Sequence, residues 1–178
     1  GFENNKFIHL DFLVTERISE AEFKEKQAKE LVEQEKRKEA GIIREKEIAT
    51  SIGATIANYQ SGKLADVQTH PSGLKYVIHE QGTGKKPEDG KRVDVNYYGA
   101  LTNGTMFDNS FGRGEPFQFL IGAGQVIRGW DVGVPLLNEG GKATLFIPYD
   151  MAYGEAGRPP TIPSKAELVF YVELNEVL

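Results

Sequence analysis

The sequence predicts an α+β protein: a five-stranded antiparallel sheet wrapped on one short helix, with an N-terminal strand and a helical extension ahead of it. Three observations predict it. The last hundred or so residues hold five short runs of β-branched and aromatic side chains separated by Gly, Asn and Pro turn signals. A single short helical pattern interrupts those runs and must cover the sheet's apolar face to complete a core. The first third of the chain is instead dense in Glu, Lys, Ala and Gln at helical spacing.

Along the chain, Ile8, Leu10, Phe12 and Val14 alternate over residues 7–14, the pattern of a half-buried strand that needs a partner. Ser19-Glu20-Ala21-Glu22 reads as a capping box, so a helix is expected to begin there. Residues 21–59 continue it with a narrow apolar stripe, but Gly41 and Gly53, each costing about 1 kcal/mol in a helix interior, predict two or three stretches rather than one. Thr69-His70-Pro71-Ser72-Gly73 supplies turn chemistry before the pattern changes to strands. The expected division is therefore an arm over residues 1–67 and a domain over residues 68–178. Strands are predicted over 74–78, 93–97, 117–119, 143–147 and 168–172, a hairpin turn at Thr102-Asn103-Gly104-Thr105, and a helix over 127–134.

Composition removes several function classes. The 178 residues carry a formal net charge of -5, without the concentrated basic face that nucleic-acid binding needs, so no nucleic-acid partner is expected. Cysteine is absent, which excludes disulfides and thiolate nucleophiles. His9, His70 and His79 are scattered, with no metal-ligand spacing, and Gly82-Thr83-Gly84-Lys85 and Gly140-Gly141-Lys142 fail the phosphate-loop pattern, so neither metal nor cofactor is expected. No apolar run is long enough for a membrane span. The chain opens on Gly1 rather than Met, which reads as an N-terminus trimmed of any export or lipid signal.

Tyr97, Phe107, Phe117, Phe119, Trp130, Tyr153 and Phe170 lie in different predicted elements, and burial preference alone would have them simply fill the core. Their context points elsewhere. Tyr97-Tyr98-Gly99, then Gly104-Thr105-Met106-Phe107-Asp108-Asn109-Ser110, Gly124-Gln125-Val126-Ile127-Arg128-Gly129-Trp130-Asp131 and Ala152-Tyr153-Gly154 follow in an order and spacing that resemble the FKBP-type peptidyl-prolyl cis-trans isomerase family. The resemblance covers residues 72–178 and leaves the arm outside, although some bacterial members carry helical dimerisation segments ahead of this domain.

What the resemblance implies is an apolar pocket for a proline ring, with Trp130 as floor and Tyr97, Phe107, Phe117, Val126, Ile127 and Phe170 as walls. It implies polar contacts from Asp108 and Tyr153 to a bound peptide or macrolide inhibitor, a donor in the Ile127 amide, Ile162 on a flap over the site, and Arg113 as an orienting partner of Asp108. Tyr97, Phe107, Asp108, Trp130 and Tyr153 are the expected catalytic set. Arg158 and Thr161 depart from the family's usual flap, so rim contacts and substrate preference are expected to differ. The implied substrates are proline-containing, unfolded or partly folded proteins. A non-catalytic binding module or chaperone using the same cleft is the alternative. The arm reads as a spacer, a client-binding element or a homodimer interface, and the location as bacterial envelope or periplasm, with the cytoplasm left open.

Overall fold

The computed structural model describes residues 20–178, so the strand expected over residues 7–14 and the capping side chain of Ser19 lie outside the described residues. Glu20–Gln60 forms one helix, α1, of 41 residues, where the two interior glycines predict breaks. Packing explains the difference, because tertiary burial outweighs the propensity cost of a glycine. Ile48, Ile52 and Ile56, one per turn, are each 4% exposed or less. The chain forms two compact units, residues up to Glu33 in one and Gln34–Leu178 in the other. All that follows concerns the second.

Seven strands make one antiparallel sheet: β1 (Gln68–Thr69), β2 (Lys75–Glu80), β3 (Arg92–Leu101), β4 (Met106–Asn109), β5 (Phe117–Leu120), β6 (Lys142–Ile147) and β7 (Leu168–Val177). Their order is β1-β2-β6-β7-β3-β4, with β5 paired to the first half of β3. The sequence predicts five of them. It misses β1, whose two residues are too short to display an alternating pattern, and β4, where Met106 and Phe107 are followed by Asp108 and Asn109 so that apolar and polar side chains do not alternate. The expected helix is α2 (Arg128–Gly133), prolonged by a 3-10 turn over Val134–Leu136. Gly129 and Gly133 lie one turn apart where a Cβ would collide with Ile147 and Leu145, so α2 rests directly on β6.

Both faces of the sheet are buried. Val93, Val95, Leu145, Ile147, Phe170, Val172 and Leu174 face α2 with Trp130, Val134 and Leu137. Tyr98, Ala100, Phe146 and Val169, on the opposite face, meet Ile48, Ile52 and Ile56 of α1, and Tyr59 stacks on Phe146 with ring centroids 3.9 Å apart. The continuous apolar run from Leu168 to Val172 is the signature of a strand buried on both sides. At the edge of this second layer the Arg44 Nη2 donates to Glu173 Oε1 at 2.8 Å, and the Tyr171 hydroxyl donates to the same oxygen at 2.8 Å. No helix among the described residues is long and apolar enough to cross a membrane.

Candidate functional site

A cavity of about 1040 Å³ opens between α2, β3–β5, the end of β7 and the loop over residues 152–162. Its floor is Trp130, 4% exposed, held in the first turn of α2 because Ile127, the residue just ahead of that helix, accepts at its carbonyl from the Trp130 amide at 2.9 Å. Rings surround the indole edge-on: Tyr97 at 5.0 Å and 79°, Phe170 at 5.3 Å and 87°, and Phe117 at 6.0 Å and 82°. Edge-to-face packing of this kind fixes ring orientation as well as burying area. The indole Nε1 is buried and finds no acceptor among the described residues.

One wall is polar. The Tyr97 hydroxyl donates to Asp108 Oδ2 at 2.6 Å, and Arg113 donates from Nη1 to Asp108 Oδ1 at 2.9 Å and from Nη2 to the Tyr97 oxygen at 2.8 Å. Three side chains thus close a triangle in which every polar end on this wall is engaged. Burial, helped by the Asp108 carboxylate, pushes the Tyr97 hydroxyl up to about 12, while the hydrogen bond from Arg113 opposes it. The wall is fixed from behind by Ser110, fully buried, whose Oγ accepts from the Tyr97 amide at 2.9 Å and donates to Asn96 Oδ1 at 3.2 Å. Asp131 ties down the turn ahead of α2 by accepting from the Gly122 and Gly124 amides.

The opposite rim is a small hairpin in which the Arg158 amide donates to the Ile162 carbonyl at 2.8 Å and the Ile162 amide returns to the Arg158 carbonyl at 2.9 Å. It turns Ile162, 3% exposed, inward and leaves Arg158 exposed, its guanidinium 5.9 Å from the Tyr153 ring centre.

Residues 83–175 match the model of the FKBP-type peptidyl-prolyl cis-trans isomerases. The chain belongs to that family. It is 52% identical over 110 residues to FK506-binding protein 4 of Dictyostelium discoideum and 49% identical over 111 residues to FK506-binding protein 1 of Candida glabrata. These alignments take in 62% of this chain in each case, but 30% of the first relative and 97% of the second. The crystal structure of FkpA from Escherichia coli is 37% identical with a TM-score of 0.61, covering 90% of this chain and 74% of that one. That likeness therefore reaches beyond the FKBP domain into the N-terminal region.

Within this FKBP domain the cavity gathers Tyr97, Phe107, Asp108, Phe117, Val126, Ile127, Trp130, Tyr153, Ile162 and Phe170, all expected from the motifs. Arg113 completes the polar triangle without lining the cavity, joined to the site through Asp108 and Tyr97. The lining also includes Gln125, Arg128 and Ala152, which lay inside the quoted motifs without being singled out, and Pro159 and Pro160 of the flap.

Proposed function

We propose that residues 68–178 accelerate rotation about Xaa-Pro bonds in protein substrates, the proline ring seated on Trp130. The observation that carries this reading is the cleft itself: an aromatic floor and walls with one fully hydrogen-bonded polar side. Amide rotation makes and breaks no covalent bond, so no nucleophile is required. Resonance sets a barrier of about 18–20 kcal/mol, and a hundredfold acceleration removes only about 2.7 kcal/mol of it. Twisting the bond ends conjugation and makes the imide less polar, and an apolar cleft no longer offers the water hydrogen bonds that favour the planar form. Phe107, Phe117, Val126, Ile127 and Phe170 supply that apolar surround.

Asp108 and Tyr153 contact the peptide backbone beside the proline, the Ile127 amide, at the start of α2, donates to a substrate carbonyl, and Ile162 closes over the ring. Arg113 orients Asp108. The same cleft takes macrolides of the FK506 class. The arm over residues 1–67 holds a second copy of the chain or an unfolded client, which raises the effective concentration of prolines near the cleft. Exposed Ile42 and Ile43 on α1 support such a contact. The bacterial envelope is the proposed location.

A protease-coupled assay on a panel of Xaa-Pro tetrapeptides tests the activity. Acceleration by the full chain that is blocked by FK506 is expected. Saturable peptide binding without acceleration means a binding module instead.

A further inference from the structure

We propose that α1 is a positioning element of the cleft: seated through Gly41 on the turn at residues 111–114, it sets the orientation of Arg113 and so of Asp108 and Tyr97. The inference rests on the isomerase reading above and adds a control point on the far side of the sheet.

The turn Phe111–Arg113 joins the strand that bears Asp108 to the strand that bears Phe117. Its backbone hydrogen bonds are local. The Gly112 amide donates to Asn109 Oδ1, the Arg113 amide to the Ser110 carbonyl and the Gly114 amide to the Phe111 carbonyl. They shape the turn without fixing where it stands. Phe111 provides the anchor: it is buried in the same apolar cluster as Ile48 and Ile52 of α1, on the helix side of the sheet rather than in the cleft.

The helix meets the turn along one stripe, positions 34, 38, 41 and 45, which fall on a single face at helical spacing. Gln34 Nε2 donates to Glu115 Oε1 at 3.4 Å. A Cβ on Gly114 would stand 3.0 Å from the Lys38 amide nitrogen, and one on Gly112 would stand 2.8 Å from Glu45 Oε2. The tightest approach is at Gly41, where an added Cβ would overlap the Phe111 carbonyl oxygen. Gly41, with the Lys38 backbone one turn before it, is therefore where α1 touches the turn, and nothing larger fits at Gly41 without moving helix or turn. Gly53, twelve residues further along the same helix, has nothing within 4 Å of such an atom. On the other side of the turn, Arg113 reaches only Asp108 and Tyr97 among the hydrogen-bond partners described. Displacing the turn thus changes the triangle on the cleft wall directly.

The paired substitutions Gly41→Ala and Gly53→Ala in the full chain separate this contact from a general effect on the helix. Gly41→Ala is expected to lower kcat/KM on a tetrapeptide about tenfold, within the span that slight misplacement of a positioned group produces, with Gly53→Ala unchanged. In an Arg113→Gln background the Gly41→Ala loss should shrink to near nothing, because both changes act through the same guanidinium. Trp130 fluorescence checks that each variant is folded. As a readout without a variant or turnover, hydrogen exchange on the wild-type chain with and without FK506 should show the cleft ligand raising protection of amides near residue 41, since coupling is reciprocal. Wild-type kcat/KM in Gly41→Ala, a loss that persists undiminished in the Arg113→Gln background, or FK506 protection confined to the cleft overturns the proposal. Absence of turnover by the wild type itself counts against the isomerase reading, and the exchange experiment then still decides this one.

Discussion

The triangle of Tyr97, Asp108 and Arg113 gives the cleft wall its polarity without leaving an unpaired end. Removing the hydroxyl in Tyr97→Phe deletes two of those hydrogen bonds but keeps the ring packed on Trp130 and the ion pair between Arg113 and Asp108. At about 0.5–1.5 kcal/mol for each bond, kcat/KM is expected to fall roughly two- to tenfold per bond lost, with peptide-assay kinetics as the check. Because burial holds the Tyr97 hydroxyl protonated up to about 12, the rate should show no titration of this group between roughly pH 6 and 9. The sign for stability follows from the raised value. The folded chain keeps a proton that an unfolded tyrosine releases near 10, so this contribution is complete below about pH 10 and is lost as pH rises towards about 12. Denaturant midpoints for wild type and Tyr97→Phe should therefore converge across that window. At this scale the sequence was informative, because Tyr97, Asp108 and Trp130 stand inside motifs. Ser110 was harder to value: a serine in a motif gives no sign that its hydroxyl will be fully buried under the tyrosine amide.

Among the elements, α1 shows how a correct local pattern can hide its partner. The stripe of Ile48, Ile52 and Ile56 is legible at i, i+4 and i+8, but nothing in the sequence says that it covers the back of the sheet against Phe146 and Val169. The same blindness led to breaks being expected at Gly41 and Gly53, since a glycine in a charged helix looks the same whether it fits a neighbour or weakens the helix. Gly53→Ala, in open space, should gain up to about 1 kcal/mol, and Ile52→Ala, losing a side chain 2% exposed, should cost about 2–5 kcal/mol in chemical denaturation. The strands were read well where side chains alternate or run apolar, as in β3 and β7. They were missed where an element holds a single repeat, as in β1, or does not alternate, as in β4.

At the level of the whole molecule, one sheet carries two layers, the isomerase-type cleft on one face and α1 on the other. Of the two occupants proposed for the arm, a second copy would give close to twice 19.7 kDa in light scattering on the full chain, and a single-chain mass at high concentration would leave the client. The family resemblance covered the cleft side and left the arm outside, which is why the helix layer had to come from the structure. The proposed isomerase activity places accelerated Xaa-Pro rotation at a proline ring seated on Trp130. Exchange NMR on a single Xaa-Pro tetrapeptide, with wild type and Trp130→Leu compared at equal folded concentration, tests it most directly. Cis–trans exchange cross-peaks should grow with wild-type protein and stay at the uncatalysed level with the variant; equal exchange with both, or none with folded wild type, rules out a proline seat on Trp130.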